Sequence, residues 1–205
     1  GKTTQRDVNG FLLLDKSPGF TSNASLQKVK KIYSVAKAGH TGSLDPLATG
    51  VLPLCFGQAT KFSQFLLEAN KRYLATIVLG TTTETGDADG RVLVQTEVPQ
   101  INDLNFILEQ FRGEITQTPS MYSALKLGGQ PLYKLARAGI EVERKQRKVR
   151  IFKLDLVKHI DEEVVLDICC SKGTYIRSLA EDIGSVIGCG AHVSGLRRIR
   201  SGPYT

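Results

Sequence analysis

The chain of 205 residues is long enough for one sizeable hydrophobic core and short for two ordinary domains. Its 41% hydrophobic and 23% charged residues exclude a wholly disordered chain, and no apolar run approaches the roughly 18 residues that a membrane span needs. The 27 Lys and Arg residues outnumber the 20 Asp and Glu residues, and the net charge of +7 favours a polyanionic partner such as nucleic acid over a merely solvated basic surface.

The order of the predicted elements favours a single α+β domain over residues 1–205, because the helices do not alternate regularly with the strands. Its sheet is expected to be mixed and mainly antiparallel. The strands predicted from alternation and short apolar runs are 10–15, 72–79, 92–96, 149–159, 164–170 and 196–199. The predicted helices are a segment capped by Thr21 or Ser22 that reaches Tyr33, then 59–69, 104–111, 132–138 and 174–186. Loops are predicted over 38–46 and 117–130, and the strands 72–79 and 92–96 are expected to pair as a hairpin with a long connection.

The residue types that commonly bind metals are scattered. The four cysteines form no C-x-x-C pair, so we interpret them as reduced thiols of a cytoplasmic protein, and the three histidines predict no metal site. Residues 39–43 lack the Lys-Ser/Thr ending of a phosphate-binding loop. Residues 87–90 lack the third oxygen ligand and the distal acid of a calcium loop, so we predict a turn with Asx capping there.

The most informative segment is 39–53, GHTGSLDPLATGVLP. Its three glycines permit unusual backbone angles and the close approach of a ligand, and Pro46 pushes Asp45 towards extended geometry. A single carboxylate is therefore held on a fixed loop beside the imidazole of His40. These residues alone leave two interpretations open: a functional carboxylate, or a loop aspartate in an Asx turn.

Segment 38–50, AGHTGSLDPLATG, resembles the catalytic motif of the TruB-type tRNA pseudouridine synthases, and five further segments are similar to other motifs of that family. In chain order they are LDKSPGFTS (14–22), KRY with LG (71–73, 79–80), MYSALK (121–126), CSKGTYIRSLA (170–180) and GAHV with LRR (190–193, 196–198). The resemblance implies the pseudouridine synthase fold and a cytoplasmic isomerase that converts uridine 55 in the tRNA T loop to pseudouridine. It implies no cofactor, because nothing is oxidised or reduced.

The resemblance also implies which residues carry the chemistry. Asp45 would be the nucleophile, attacking either C1′ of the ribose or C6 of the base. Arg177 would pair with Asp45, because a buried carboxylate needs a partner to stay ionised. Tyr73 would lie against the base, with its hydroxyl available for removing the proton that the product loses.

Further residues would receive a uracil that is flipped out of the T loop. Tyr175 would lie against the flipped base and Leu196 would form an apolar wall. His40 would help to fill the vacated space or support the flip, and Lys16 would contact the RNA.

Two departures from the family pattern qualify the resemblance. Ser17 stands where the family usually has a second proline, and the sequence stops at Thr205, where bacterial members usually continue into a small PUA-like RNA-binding domain. We therefore expect that domain to be absent. The expected partner is the T-arm stem-loop of tRNA, bound by a monomer without an obligate protein partner. Two alternatives remain: a tRNA-binding or tRNA-folding module without turnover, and a relative of the guide-RNA-dependent synthases.

Overall fold

The computed structural model describes residues 4–123 and 125–205. Residues 1–3 and Ala124, which belongs to the segment 121–126 of the resemblance, lie outside the described residues. In the part of the chain that is described, no helix is long and apolar enough to cross a membrane.

One mixed sheet organises the described chain. The strands are β1 (Gly10–Lys16), β2 (Ala38–His40), β3 (Thr49–Phe56), β4 (Lys71–Leu79), β5 (Thr81–Thr83), β6 (Val92–Gln95), β7 (Gly113–Gln117), β8 (Lys126–Leu127), β9 (Gln130–Pro131), β10 (Arg147–Ile160), β11 (Glu163–Cys170) and β12 (Ala191–Ser201). Eight of them form a sheet in the order β1-β3-β12-β4-β11-β10-β7, with β2 paired to β3. All of its pairings are antiparallel except that of β3 with β12. The predicted α+β class with a mainly antiparallel sheet is confirmed.

The helices flank this sheet. They are α1 (Ser22–Tyr33), α2 (Ser63–Leu67), α3 (Leu104–Glu109), α4 (Leu132–Arg137) and α5 (Ile176–Ile187), with a 3-10 helix over Gly57–Phe62. Thr21 caps α1 as predicted, because its hydroxyl accepts the amide hydrogen of Ala24 at 3.0 Å. The inward face predicted for α5 is buried, and the helix ends at Gly188, whose φ of 93° suits glycine.

Strand β4 lies near the centre of the sheet between β11 and β12, and its residues alternate between the two faces. Tyr73, Ala75 and Ile77 are buried on one face, as the sequence predicts. On the other face, Leu74 is exposed. The sheet therefore presents Tyr73 on its packed side, at the end of β4 where the chain enters the sheet.

Four predicted elements differ from the structure, and one of them is the predicted loop 117–130, which contains the short strand β8. The strand 92–96 does not pair with 72–79: β6 pairs with the short β5, whereas β4 is already held on both edges by β11 and β12. The predicted helix 59–69 is a 3-10 helix followed by the five-residue α2. The predicted loop 38–46 begins with strand β2. Strand β3 follows this loop and is not predicted, because Gly50 and Pro53 obscure its strand pattern although Leu52 and Leu54 are fully buried.

Candidate active site

A cavity of about 450 Å³ opens where the loop after β2, the start of β4, the start of α5 and the end of β12 meet. This volume lies in the range of small-molecule sites. The side chains of the predicted site that line it are Asp45, Tyr73, Tyr175, Arg177 and Leu196. Residues separated by up to 151 positions in the sequence are thus brought together by the sheet and by α5.

Asp45 and Arg177 form an ion pair at the cavity wall, with 3.1 Å between Nε of Arg177 and Oδ2 of Asp45. Arg177 is the second residue of α5, and its Nη1 also donates to the carbonyl of Thr85 at 3.0 Å. Its side chain is only 8% exposed, whereas the side chain of Asp45 is 40% exposed to the cavity that it lines. The cation is therefore enclosed behind a carboxylate that a ligand can reach.

Burial raises the pKa of Asp45 above its ordinary value and outweighs the opposing charge of Arg177. The carboxylates of Asp87 and Asp89 raise it further, and Lys16 opposes them. A carboxylate with a raised pKa is a stronger nucleophile once ionised, and the neighbouring guanidinium favours its ionised form.

The turn that carries Asp87 and Asp89 has the predicted Asx capping. Oδ1 of Asp87 accepts the amide hydrogen of Asp89 at 3.1 Å and the hydroxyl hydrogen of Thr85 at 2.6 Å. Asp87 is buried, so solvent screens the interaction between its charge and Asp45 only weakly. The turn therefore belongs to the electrostatics of the site, which its sequence alone does not indicate.

Tyr73 and Tyr175 enclose the cavity from two elements. Tyr73 is 9% exposed, and burial raises the pKa of its phenol while the charge of Arg198 opposes the rise. Burial also raises the pKa of Tyr175, which is the N-cap residue of α5. Gln117 fixes the backbone of Tyr175 with two hydrogen bonds, since its Oε1 accepts from the amide at 2.9 Å and its Nε2 donates to the carbonyl at 3.1 Å.

Lys16 and His40 are placed differently from the cavity residues. Nζ of Lys16 donates to the carbonyls of Ser17, Phe20 and Pro46 at 2.8, 2.7 and 3.2 Å, and the residue is 1% exposed. All three of its hydrogens therefore tether the Asp45 loop to the turn after β1, and this geometry favours a structural role over RNA contact. His40 ends β2 and is half-buried; burial and Arg198 lower its pKa, which favours the neutral imidazole.

Two family models together match residues 30–205 of the chain. A model of the TruB family pseudouridylate synthase N-terminal domain matches residues 30–176, and a model of the tRNA pseudouridylate synthase B C-terminal domain matches residues 177–205. The chain belongs to the TruB family. It is therefore a tRNA pseudouridine synthase, an isomerase that acts on tRNA. The boundary between the two matches falls inside α5, and β12 of the second match is paired within the same sheet as the first.

Individual relatives agree with this membership. The chain is 59% identical over 204 residues to tRNA pseudouridine synthase B of Stutzerimonas stutzeri, covering 99% of this chain and 67% of the relative. It is 59% identical over 200 residues to tRNA pseudouridine synthase B of Aeromonas salmonicida, covering 97% and 63%. The chain thus spans about two thirds of the length of these curated relatives.

Solved structures share the fold. The chain superposes on a crystal structure of a Cbf5-Nop10-Gar1 complex with a TM-score of 0.75 at 35% identity, covering 96% of this chain and 50% of that chain. A structure of an H/ACA RNP bound to a substrate RNA containing 2′-deoxyuridine matches with a TM-score of 0.71 at 32% identity, covering 96% and 48%. The pseudouridine synthase fold implied by the sequence is confirmed.

Several residues that line the cavity of this TruB-family chain lie within the motif segments, but nothing in the sequence singles them out as site residues. Ser123 is 2% exposed and lines the cavity, and its hydroxyl has no hydrogen-bond partner among the described residues. Lys71 also lines the cavity and donates to the carbonyls of Leu66 and Leu67, while burial lowers its pKa to about 8. Arg198, the last residue of the motif segment 196–198, is 1% exposed at the cavity wall.

Proposed function

We propose that this enzyme isomerises uridine 55 in the T loop of tRNA to pseudouridine, with Asp45 as the nucleophile. The observation that carries the proposal is the placement of the Asp45 carboxylate, which is open to the cavity and backed at 3.1 Å by the enclosed guanidinium of Arg177. The family membership supplies the reaction class. The motif resemblance supplies the position of the uridine, which a T-arm hairpin RNA can test.

The reaction breaks the N1–C1′ bond of uridine and forms a C5–C1′ bond. The base gains a proton at N1 and loses one from C5, so the product is an isomer and no electrons enter or leave. A carboxylate that adds to C1′ or to C6 of the base holds one fragment while the other turns. Arg177 supports this step, because its planar guanidinium can stay hydrogen-bonded to the Asp45 carboxylate while the negative charge of that carboxylate is lost on bond formation and restored on release.

The aromatic side chains of the cavity suit a flipped pyrimidine. A base inside a folded loop must leave its stack to reach Asp45, and it regains stacking on protein aromatic rings at roughly 1–3 kcal/mol per base. Tyr73 and Tyr175 supply those rings and Leu196 supplies the apolar wall. Tyr73 is also the group that we assign to the proton on C5, because its phenol is enclosed in the same cavity as Asp45. His40 ends β2 two residues before Gly42, which lines the cavity, and from there it would support the flip.

Exposed basic residues supply the RNA-binding surface. They are Lys126, Lys134, Arg137, Lys145, Arg147 and Lys148. Arg147 connects this surface to the cavity. Its Nη1 lies 4.0 Å from the point where a Cβ on Gly173 would be, and Gly173 lines the cavity. The charge of Arg147 also acts on Tyr175, another residue of the cavity wall. RNA affinity should therefore fall steeply as salt increases, since each phosphate contact releases counterions.

A T-arm hairpin RNA incubated with the purified chain, followed by chemical detection of pseudouridine, tests the proposed function. We expect product at the position equivalent to uridine 55 without guide RNA or added protein, which would fit a monomer that acts alone on tRNA in the cytoplasm. Binding without product would favour the tRNA-binding module. Product only with a guide RNA or protein partner would favour the guide-dependent alternative. A hairpin that needs no magnesium for folding lets EDTA be added, and we expect activity to survive it.

A further inference from the structure

The guanidinium of Arg198 is buried in the cavity wall without a carboxylate. The residue is 1% exposed, and none of the ion pairs within residues 4–123 and 125–205 includes it. Its Nε donates to the carbonyl of Val51 at 2.8 Å and its Nη2 donates to the carbonyl of Gly42 at 3.1 Å. A buried charge without a counter-ion is costly, so the positive charge at this position requires a physical explanation.

Tyr73 is a polar side chain that faces this charge from the neighbouring strand. Arg198 in β12 and Tyr73 in β4 are directly opposite partners in an antiparallel pair, so their side chains project from the same face of the sheet. Both line the cavity that contains Asp45. The positive charge of Arg198 therefore lies on the same side of the sheet as the phenol, where it opposes the rise in the phenol's pKa that burial causes.

The same guanidinium joins three parts of the site. Gly42 belongs to the loop that carries Asp45, Val51 belongs to β3, and Tyr73 is the third residue of β4. Gly50 allows this packing, because its φ is +105° and a Cβ there would overlap the backbone of Arg198. The loop of the nucleophile and the strand of Tyr73 are thereby fixed against one side chain.

We propose that Arg198 is a positioning residue for Tyr73: by donating to the phenolic oxygen, it holds that oxygen towards the cavity and stabilises the phenolate, which accepts the proton from C5 and passes it to water, while N1 takes a proton from water. The proposal rests on the proposed function, in which Tyr73 handles the proton on C5. The groups that act on the phenol fit it. Burial, Cys170 and Asp45 all disfavour the phenolate, and Arg198 is the group that opposes them.

A double-mutant cycle distinguishes this role from a purely structural one. Arg198→Met should slow single-turnover conversion of the T-arm hairpin by about tenfold and leave RNA affinity within about twofold. In a Tyr73→Phe background, the same substitution should slow the rate by only about threefold, because the hydroxyl that it positions is already gone and only its bonds to the carbonyls of Gly42 and Val51 remain to be lost. Effects that simply add would overturn the proposal. Arg200→Met is the matched control, since Arg200 lies on the same strand and contacts Cys169 instead of the cavity residues.

A second readout does not depend on activity. With 3-fluorotyrosine placed at position 73, the ¹⁹F resonance of the free protein should titrate at higher pH in Arg198→Met than in the parent. An unchanged midpoint would overturn the proposal even if turnover fell. Should Arg198→Met fail to fold, Arg198→Lys keeps the charge and loses the planar fork, and its midpoint and rate should still depart from the parent in the same direction. If the parent makes no pseudouridine, the proposed function fails while the ¹⁹F measurement still tests the contact.

Discussion

Two aspartate–arginine pairs lie on opposite faces of the same sheet and differ in how completely the carboxylate is bound. Asp167 accepts from Nε and Nη2 of Arg72 at 2.9 and 2.7 Å and from Nζ of Lys153 at 3.0 Å. Asp45 meets Arg177 at 3.1 Å through one oxygen and faces the cavity with the rest of its carboxylate. The first carboxylate is saturated with donors, whereas the second remains available to a ligand.

The pKa values follow this difference. The hydrogen bonds from Arg72 make the largest contribution, and together with the bond from Lys153 they lower the pKa of Asp167 to about 2 against the opposing effect of burial. At Asp45 burial dominates, and the pKa is raised despite Arg177. An ion pair in which every carboxylate oxygen accepts hydrogen bonds stabilises the fold. An ion pair that leaves part of the carboxylate without donors keeps that group available for reaction. The two pairs thus provide matched positions for separating catalysis from stability.

Arg177→Lys should give the largest change among the guanidinium variants. We expect the single-turnover rate to fall by roughly 10²- to 10³-fold, because an ammonium cannot reproduce the contact to Asp45 and the bond to the carbonyl of Thr85 together. Arg72→Lys, made at the saturated pair, should leave that rate unchanged. Equal rates for the parent and Arg177→Lys would show that Arg177 is peripheral to the reaction.

Tyr73→Phe should slow turnover by about 10²-fold, since the ring for stacking is kept and the hydroxyl is lost. RNA affinity should stay near that of the parent, whereas Tyr73→Leu should impair both affinity and rate. Tyr204→Phe is the matched control, because that ring packs against Phe11 at 6.4 Å between centroids, away from the cavity. If Tyr73→Phe turned over at the parental rate, the side chain would contribute only stacking. If Tyr73→Leu also had the parental affinity and rate, the ring of Tyr73 would not lie against the base.

Asp167→Asn should lower stability at neutral pH by about 1 kcal/mol, a value reduced for the partial exposure of both cations. The folded pKa is depressed, so this stabilisation is complete above the ordinary value of 3.8 and is lost as the pH falls through about 2. The free energies of unfolding of parent and variant, measured as a function of pH, should therefore converge as the pH falls from 3.8 to about 2. Curves that keep a constant separation down to pH 2 would show that the carboxylate stabilises the protein through something other than its charge. Asp45, whose pKa is raised, contributes to the pH dependence of stability with the opposite sign.

The sequence predicts much of the fold because its periodic segments are long. The inward face of α5 and the alternation of β4 follow directly from spacing. Strand β3 is hidden because Gly50 and Pro53 interrupt its pattern, yet tertiary packing buries Leu52 and Leu54. Pairing of β6 with β5 instead of β4 depends on competition from β11 and β12, which local patterns do not contain.

The candidate site shows the same division between local and long-range information. The motifs around Asp45 and Arg177 identify residues that the structure brings to 3.1 Å. Lys16 and Arg198 carry the same local signal, a basic residue in a motif, but both are buried and bound to backbone carbonyls. Exposure decides between RNA contact and internal bracing, and exposure arises only when distant strands assemble.

Measuring pseudouridine in a T-arm hairpin with Asp45→Asn and Asp167→Asn side by side tests the division of roles most directly. Both substitutions replace a carboxylate by an amide of the same shape. Asp45→Asn should abolish product, by roughly 10⁴-fold or more, while RNA affinity stays within a few-fold of the parent. Asp167→Asn should form product at the parental rate despite its lower stability. Multiple turnover by purified Asp45→Asn, or an equal loss of rate in both variants with folding intact, would contradict the assignment of Asp45 as the nucleophile.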